Sequence, residues 1–225
     1  MAKPIPSYCL SGLGADHRLF QGISIPGAQL IEVPWISPLK KEPIGDYARR
    51  LLSDMLSSSP RPFFLMGSSF GGMLAQEIAP EVMPDGIILI SSLVSRAEVA
   101  APARMMSTLG LHKLAKGPLL KLLGPVGTPF FSIKSTEHKQ LFKDMLTSSD
   151  PDFQSWAIQH VATWNGPMEP FSGSVIRIHG TADLVIPAKN LQTDIDPMIP
   201  DAGHFLIMEQ ARQISEFLAS RLNIS

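Results

Sequence analysis

The chain has 225 residues, a formal net charge of −1, 44% hydrophobic and 17% charged residues. These values describe one globular domain with a substantial core and exclude a disordered chain. The near-neutral charge gives no reason to expect nucleic acid or an anionic membrane as partner. The single cysteine, Cys9, excludes an internal disulfide and suits a reducing compartment.

In chain order, a strand at Tyr8–Leu10 runs into the turn "SGLG", and a second at Gln29–Val33 is closed by Pro34. From Pro43 onward, Ile44, Tyr47, Ala48, Leu51 and Met55 fall at helical spacing. The run "PFFLM" at Pro62–Met66 reads as a third strand. A helix through Met73, Ala75 and Ile78 follows it, which Pro80 is expected to stop. Gly86–Ile90 and Val175–Ile178 are the fourth and fifth strands, and a short sixth near Met198–Ile199 is hemmed by two prolines. Ile207, Ala211, Ile214, Leu218 and Leu222 mark one face of a long closing helix. The strands are nearly continuous apolar runs, as expected when both faces are buried, and their alternation with helices implies a parallel sheet covered on both sides.

Residues 93–173 break this rhythm. They hold helical pieces ("ARMMSTLGLHKLAKG", "STEHKQLFKDMLTSSD", "PDFQSWAIQHVATW") and no convincing strand, over a length that exceeds an ordinary loop. The expectation is a helical cap over one end of a core made by residues 1–92 and 174–225. The competing reading has some of these helices merely covering the sheet.

Gly67-Ser68-Ser69-Phe70-Gly71 fits G-x-S-x-G only with Ser69 at the centre. A strand that turns directly into a helix holds the central residue in a strained conformation and presents its side chain at the top of the sheet. The flanking glycines are needed because a Cβ would collide with the neighbouring strand or helix. The competing reading is a structural glycine-rich turn. A serine nucleophile needs a base, usually a histidine oriented by a carboxylate. His204, in the loop before the closing helix, is the candidate base. His17, His112, His138 and His160 lie on helical or pre-helical segments, and His179, at the fifth strand's end, reads as structural. Asp183, just beyond that strand, is the candidate acid, with Asp194, Asp196 and Asp201 as rivals.

The order Ser69, Asp183, His204 carries a resemblance. On "LSGLGADHRLF", "GSSFGG", "HGTADLVIP" and "AGHFLIMEQ", the chain resembles the α/β-hydrolase family over nearly its full length. The resemblance implies an α/β-hydrolase fold with a mostly parallel sheet of about six strands. It makes Ser69 the nucleophile, Asp183 the acid and His204 the base, with the backbone N–H groups of Leu13 and Phe70 as the oxyanion hole. The chain departs from the family in reading Ser11-Gly12 where His-Gly is usual. No N-terminal hairpin is expected ahead of the first core strand within these residues, and the stretch between Asp183 and His204 is short.

The leading expectation is a serine hydrolase cleaving a small, largely apolar carboxylic ester or thioester through an acyl-enzyme. Alternatives are a carbon–carbon bond hydrolase or hydroxynitrile lyase with the same three residues, and a non-catalytic ligand receptor. A serine at this place argues against dehalogenase or epoxide hydrolase chemistry, where the family uses aspartate. The apolar residues of 93–173 (Met105, Met106, Leu109, Leu111, Leu119, Leu120, Leu122, Leu123, Phe130, Phe131 and Trp156) are candidates to line an apolar pocket. The expected partner is a small-molecule substrate, with no nucleic acid, no cofactor and no metal. The chain is expected to be cytoplasmic, a monomer or homodimer. No apolar run approaches the about 18 residues of a membrane span, and the first residues lack a signal-peptide pattern.

Overall fold

Six parallel strands form one sheet in the order β2-β1-β3-β4-β5-β6. They are β1 (Ile5–Leu10), β2 (Ala28–Glu32), β3 (Phe64–Ser68), β4 (Gly86–Ile90), β5 (Ser174–Gly180) and β6 (Met198–Ile199). The structure is a computed structural model and describes residues 3–57, 59–101, 104–105, 129, 131–193 and 195–222. Fold class and strand number match the sequence expectation.

Alternation along the strands divides the core in two. Tyr8, Leu10, Leu65, Ile87 and Leu89 pack on one side with Tyr47, Leu52, Met73, Leu74 and Ile78. These partners come from helices α1 (Ile44–Ser57) and α2 (Phe70–Val82). Cys9, Met66, Ile88, Ile90, Ile176 and Ile178 pack on the other side with Leu19, Phe20, Ile214 and Leu218. Burial on both faces is why the sequence shows continuous apolar runs in place of alternation.

The 93–173 segment includes the α-helices α3 (Thr136–Ser148) and α4 (Pro151–Thr163). Each starts on a side-chain cap: Ser135 accepts the His138 N–H, and Asp150 accepts the Asp152 N–H with Pro151 at the first helical position. Phe142 and Met145 of α3 join the Cys9 side of the core, while Phe153 and Trp156 of α4 join the Tyr8 side. Met105 is exposed. Met106, Leu109, Leu111, Leu119, Leu120, Leu122, Leu123, Phe130 and His112 lie outside the described residues.

Two helix expectations need correction. α2 runs through Pro80 to Val82 and ends on Met83 in the left-handed conformation, whose N–H bonds the Ala79 carbonyl at 2.8 Å. Proline there removes one donor in the final turn, where the helix is about to end anyway. The closing helix is two, α5 (Leu206–Glu209) and α6 (Ala211–Leu222), separated at Gln210, whose φ of −126° is not helical. Ile207 and Ile214 remain buried together, so the apolar periodicity survives a break it does not reveal.

β1 lies between β2 and β3, so the chain leaves β1 and β3 toward opposite edges of the sheet. Such a divergence opens a crevice at the strands' C-terminal ends.

Candidate active site

β3 ends at Ser68 and α2 begins at Phe70, which leaves Ser69 alone at the corner with φ 51° and ψ −115°. A positive φ at a non-glycine residue costs about 1–3 kcal/mol and persists only where surroundings hold it. Here the Ser69 N–H donates to the Ile90 carbonyl at 2.9 Å. The Ser69 carbonyl accepts the Gly72 N–H at 3.0 Å and the Ser92 hydroxyl at 2.8 Å. Both backbone groups are tied down, and the side chain is left partly exposed while Ser68 is buried. A Cβ on Gly71 would collide with the Leu10 and Ser11 carbonyl oxygens, so only glycine lets the first turn of α2 close on the end of β1.

Asp183 and His204 approach this corner from the far loops. The Thr181 N–H donates to the Ile199 carbonyl at 3.0 Å and the Ala182 N–H to the Ala202 carbonyl at 2.9 Å. These bonds zip the loop after β5 to the loop after β6. A two-residue β6 is therefore enough to return the chain, which accounts for the short stretch between the two residues. His204 Nε2 lies 2.9 Å from Ser69 Oγ, and His204 Nδ1 lies 2.8 Å from Asp183 Oδ2. Asp183 Oδ1 accepts the N–H groups of Val185 and Ile186, both at 2.8 Å.

Burial by itself would raise the Asp183 carboxyl pKa. The His204 charge and hydrogen bond outweigh it, helped by His179 and the Ile186 N–H, and hold the carboxyl below its ordinary value. Asp183 is thus a buried carboxylate whose lone pairs are occupied by donors, and its partner imidazole carries a proton on Nδ1. That tautomer leaves His204 Nε2 as an acceptor facing the Ser69 hydroxyl.

The turn after β1 packs against the same corner. A Cβ on Gly12 would sit 3.5 Å from Ser69 Cβ and 3.6 Å from the Ser68 carbonyl oxygen, ordinary van der Waals contact. The Ala15 N–H closes the turn on the Gly12 carbonyl at 3.0 Å. The Ala15 carbonyl accepts both the Ser11 hydroxyl at 2.9 Å and the Trp35 indole N–H at 3.0 Å. Ser11, standing where the family usually has histidine, is therefore a brace inside the turn that carries Leu13.

A model of the alpha/beta hydrolase family matches residues 8–217 of the chain. The chain belongs to that family. No curated protein matches its sequence. Solved structures share the fold at low identity. An esterase from Exiguobacterium antarcticum superposes with a TM-score of 0.76 at 16% identity, covering 99% of this chain and 93% of that one. A hydrolase from Pseudomonas aeruginosa gives 0.71 at 13% identity, covering 99% and 91%. A thermophilic esterase from Thermogutta terrifontis gives 0.66 at 17% identity, with the same coverages of 99% and 91%.

In this alpha/beta hydrolase the other candidates lie elsewhere. His17 sits beside Glu32 at 3.4 Å on the surface, His138 Nδ1 contacts Glu209 at 2.8 Å, and His160 Nε2 contacts the Glu42 carbonyl at 3.1 Å. The Asp196 and Asp201 N–H groups bond the Arg177 carbonyl and the Thr181 hydroxyl, and Asp194 lies outside the described residues. Two site residues escaped the sequence reading. Ser92 braces the corner, and His179, read as structural, lies with Nε2 3.3 Å from Asp183 Oδ2. Only the spacing "HGTAD", which puts a histidine four residues before the aspartate, hinted at the second.

One aromatic ring lies against His204, and the Phe70 side chain is buried in the core behind the corner. Phe131 lies 5.7 Å from His204, and Phe70 packs on Trp35, Phe153 and Trp156 at 6.0, 5.9 and 5.8 Å. Among the described residues no group of three or more metal-ligating side chains is placed to hold an ion. No described helix is long and apolar enough to cross a membrane.

Proposed function

We propose that this alpha/beta hydrolase cleaves a small, largely apolar carboxylic ester or thioester by acyl transfer to Ser69 and then to water. The observation that carries the reading is the unbroken series Asp183–His204–Ser69, with contacts of 2.8 and 2.9 Å, ending on a serine held at a strained corner. Ser69 Oγ attacks the substrate carbonyl as His204 Nε2 takes its proton. The Asp183 carboxylate stabilises the resulting imidazolium through Nδ1–H. The tetrahedral oxyanion is met by the backbone N–H groups of Phe70 and Leu13, and the loss of one such donor costs about 3 kcal/mol. His204 returns the proton to the leaving alcohol or thiol. A water, deprotonated by the same imidazole, then releases the acid and restores the Ser69 hydroxyl.

The Phe131 ring beside His204 and the apolar composition of residues 93–173 support an apolar acyl or alcohol group. We read residues 93–173 as the cap over a core of residues 1–92 and 174–225, with part of it, the faces of Phe142, Phe153 and Trp156, also covering the sheet. The esterases among the structural neighbours agree with this chemistry at the level of fold. The buried single thiol of Cys9 suits a cytoplasmic setting.

The test is labelling with a fluorophosphonate followed by peptide mapping, together with turnover of p-nitrophenyl esters of graded chain length. The expected results are modification at Ser69, its absence in Ser69→Ala, and an optimum at short apolar acyl chains. Folded wild-type protein that leaves Ser69 unmodified overturns the proposal.

A further inference from the structure

Asp183 lies between two imidazoles, and only His204 takes part in the steps above. The other is His179, fully buried at the end of β5. Its Nε2 is 2.8 Å from the Ile186 carbonyl oxygen and 3.3 Å from Asp183 Oδ2. Both neighbours are acceptors, so Nε2 must carry the ring proton. Burial pushes the His179 pKa down, against the opposing pull of Asp183 and Ile186, so the ring is neutral near pH 7.

The arrangement closes on itself. Ile186 donates its N–H to Asp183 Oδ1 at 2.8 Å, and its carbonyl is held by His179. Ile186 is therefore held on both sides, its N–H by the carboxylate and its carbonyl by the imidazole. The positive end of the Nε2–H bond also lies beside the oxygen that receives His204 Nδ1. Both side chains are buried, so this dipole acts with little solvent screening. The other charged group on the strand, Arg177, is committed to Glu98, leaving His179 and His204 as the titratable partners of Asp183 among the described residues.

We propose that His179 is a positioning residue for the Asp183–His204 pair: by holding the Ile186 carbonyl it keeps the Ile186 N–H on Asp183 Oδ1, and so orients the carboxylate whose Oδ2 meets the His204 imidazole. The inference rests on the roles given to Ser69, Asp183 and His204 under the proposed function. It assigns His179 a part that a core histidine lacks, because the hydrogen-bond donor at Nε2, and not the ring's volume, is what matters.

The experiment compares His179→Gln, whose amide reaches the Nε2 position, with His179→Leu, which fills space without a donor. His179→Asn, polar but too short, serves if the leucine variant does not fold. Steady-state kinetics on the best p-nitrophenyl ester should show kcat reduced about tenfold to a hundredfold in the leucine or asparagine variant. KM should be unchanged, and glutamine should restore most of kcat. Proton NMR should show the low-field His204 Nδ1–H resonance in wild type and His179→Gln, lost or in fast exchange in the leucine or asparagine variant. A folded leucine or asparagine variant with wild-type kcat and resonance overturns the inference. So does a nitrogen-15 spectrum placing the His179 proton on Nδ1 in wild type. Absence of labelling at Ser69 would instead overturn the proposed function, and the NMR readouts, which need no turnover, keep the two failures apart.

Discussion

Ser92 donates its hydroxyl to the carbonyl oxygen of Ser69 at 2.8 Å. The bond spans from the end of β4 to the strained corner after β3, and it occupies a carbonyl that must both start α2 and hold a positive φ. The glycine at position 72 exists for the same contact. A Cβ there would overlap Ser92 Oγ and Cβ, so the brace and the small residue come as a pair.

That pairing predicts an asymmetric rescue. Gly72→Ala should destabilise the protein by about 1–3 kcal/mol through overpacking and lower turnover by displacing the corner. Ser92→Ala alone should cost about 1 kcal/mol, the value of one hydrogen bond. Because Ser92 Cβ is also in the way, Ser92→Ala should fail to relieve Gly72→Ala, whereas Ser92→Gly should relieve much of its packing strain. Urea melts of the single and double variants read this directly, and equal rescue by alanine and glycine would refute it.

Asp183→Asn tests the acid without changing shape. The asparagine oxygen can still accept from Val185 and Ile186, but its NH2 then faces His204 Nδ1. His204 must accept there, which moves its proton to Nε2 and removes the acceptor for the Ser69 hydroxyl. The expected fall in kcat is about 10³–10⁴-fold with the fold intact by circular dichroism. Unchanged turnover would move the role to Asp194, Asp196 or Asp201.

Stability should fall in two stages on acidification. His179 and His160 both have folded pKa values below the ordinary 6.5, chiefly from burial. The stability they contribute is complete above about pH 6.5 and is lost as pH falls toward their lowered folded values, because the unfolded chain binds those protons first. Asp183 is held below its ordinary 3.8 although burial opposes this, so its contribution is present above that value and is lost as pH falls further. Urea unfolding between pH 8 and pH 3 should show both declines. His179→Gln should flatten the first, and an unchanged slope between pH 6.5 and 5 in that variant would contradict the assignment.

What the sequence made legible follows from where each constraint lies. Glycines 67 and 71 mark a close approach of backbone to backbone that any substitution would break, so the corner at Ser69 could be read from a few adjacent letters. The fold class was legible for a similar reason, since burial of each strand on both faces writes a continuous apolar run. The brace from Ser92 and the contact of His179 with Asp183 depend on the packing of β4 and β5 against their neighbours. A serine after a strand or a histidine at its end carries no mark of what stands opposite. The break at Gln210 was hidden because hydrophobic period reports a buried face and not backbone continuity. Pro80 misled because the loss of one donor matters in mid-helix and little in a final turn.

The buried pair of Arg177 and Glu98 supplies the last prediction. Their side chains are 5% and 0% exposed, and two parallel contacts of 2.9 and 3.1 Å join them. The remaining capacity is also used. Glu98 accepts the Val94 N–H at 2.8 Å and the Gln192 N–H at 2.9 Å. Arg177 donates to the Ser92 carbonyl at 3.1 Å and to the Thr193 hydroxyl. One ion pair thus ties the start of the 93–173 segment to β5 and to the residue that braces Ser69. Arg177→Met leaves a charged carboxylate buried without its cation, which should cost about 3–5 kcal/mol and reduce turnover as Ser92 loosens. Adding Glu98→Gln removes the orphaned charge while its amide oxygen still accepts from Val94 or Gln192. The double variant should therefore be more stable than Arg177→Met, and the cycle should show a coupling of about 1–3 kcal/mol. It should not return to wild type, because one backbone N–H and the Ser92 carbonyl remain without partners. Chemical denaturation of the four proteins decides the matter, and a cost below about 1 kcal/mol for Arg177→Met would show that water or a neighbouring cation replaces the guanidinium.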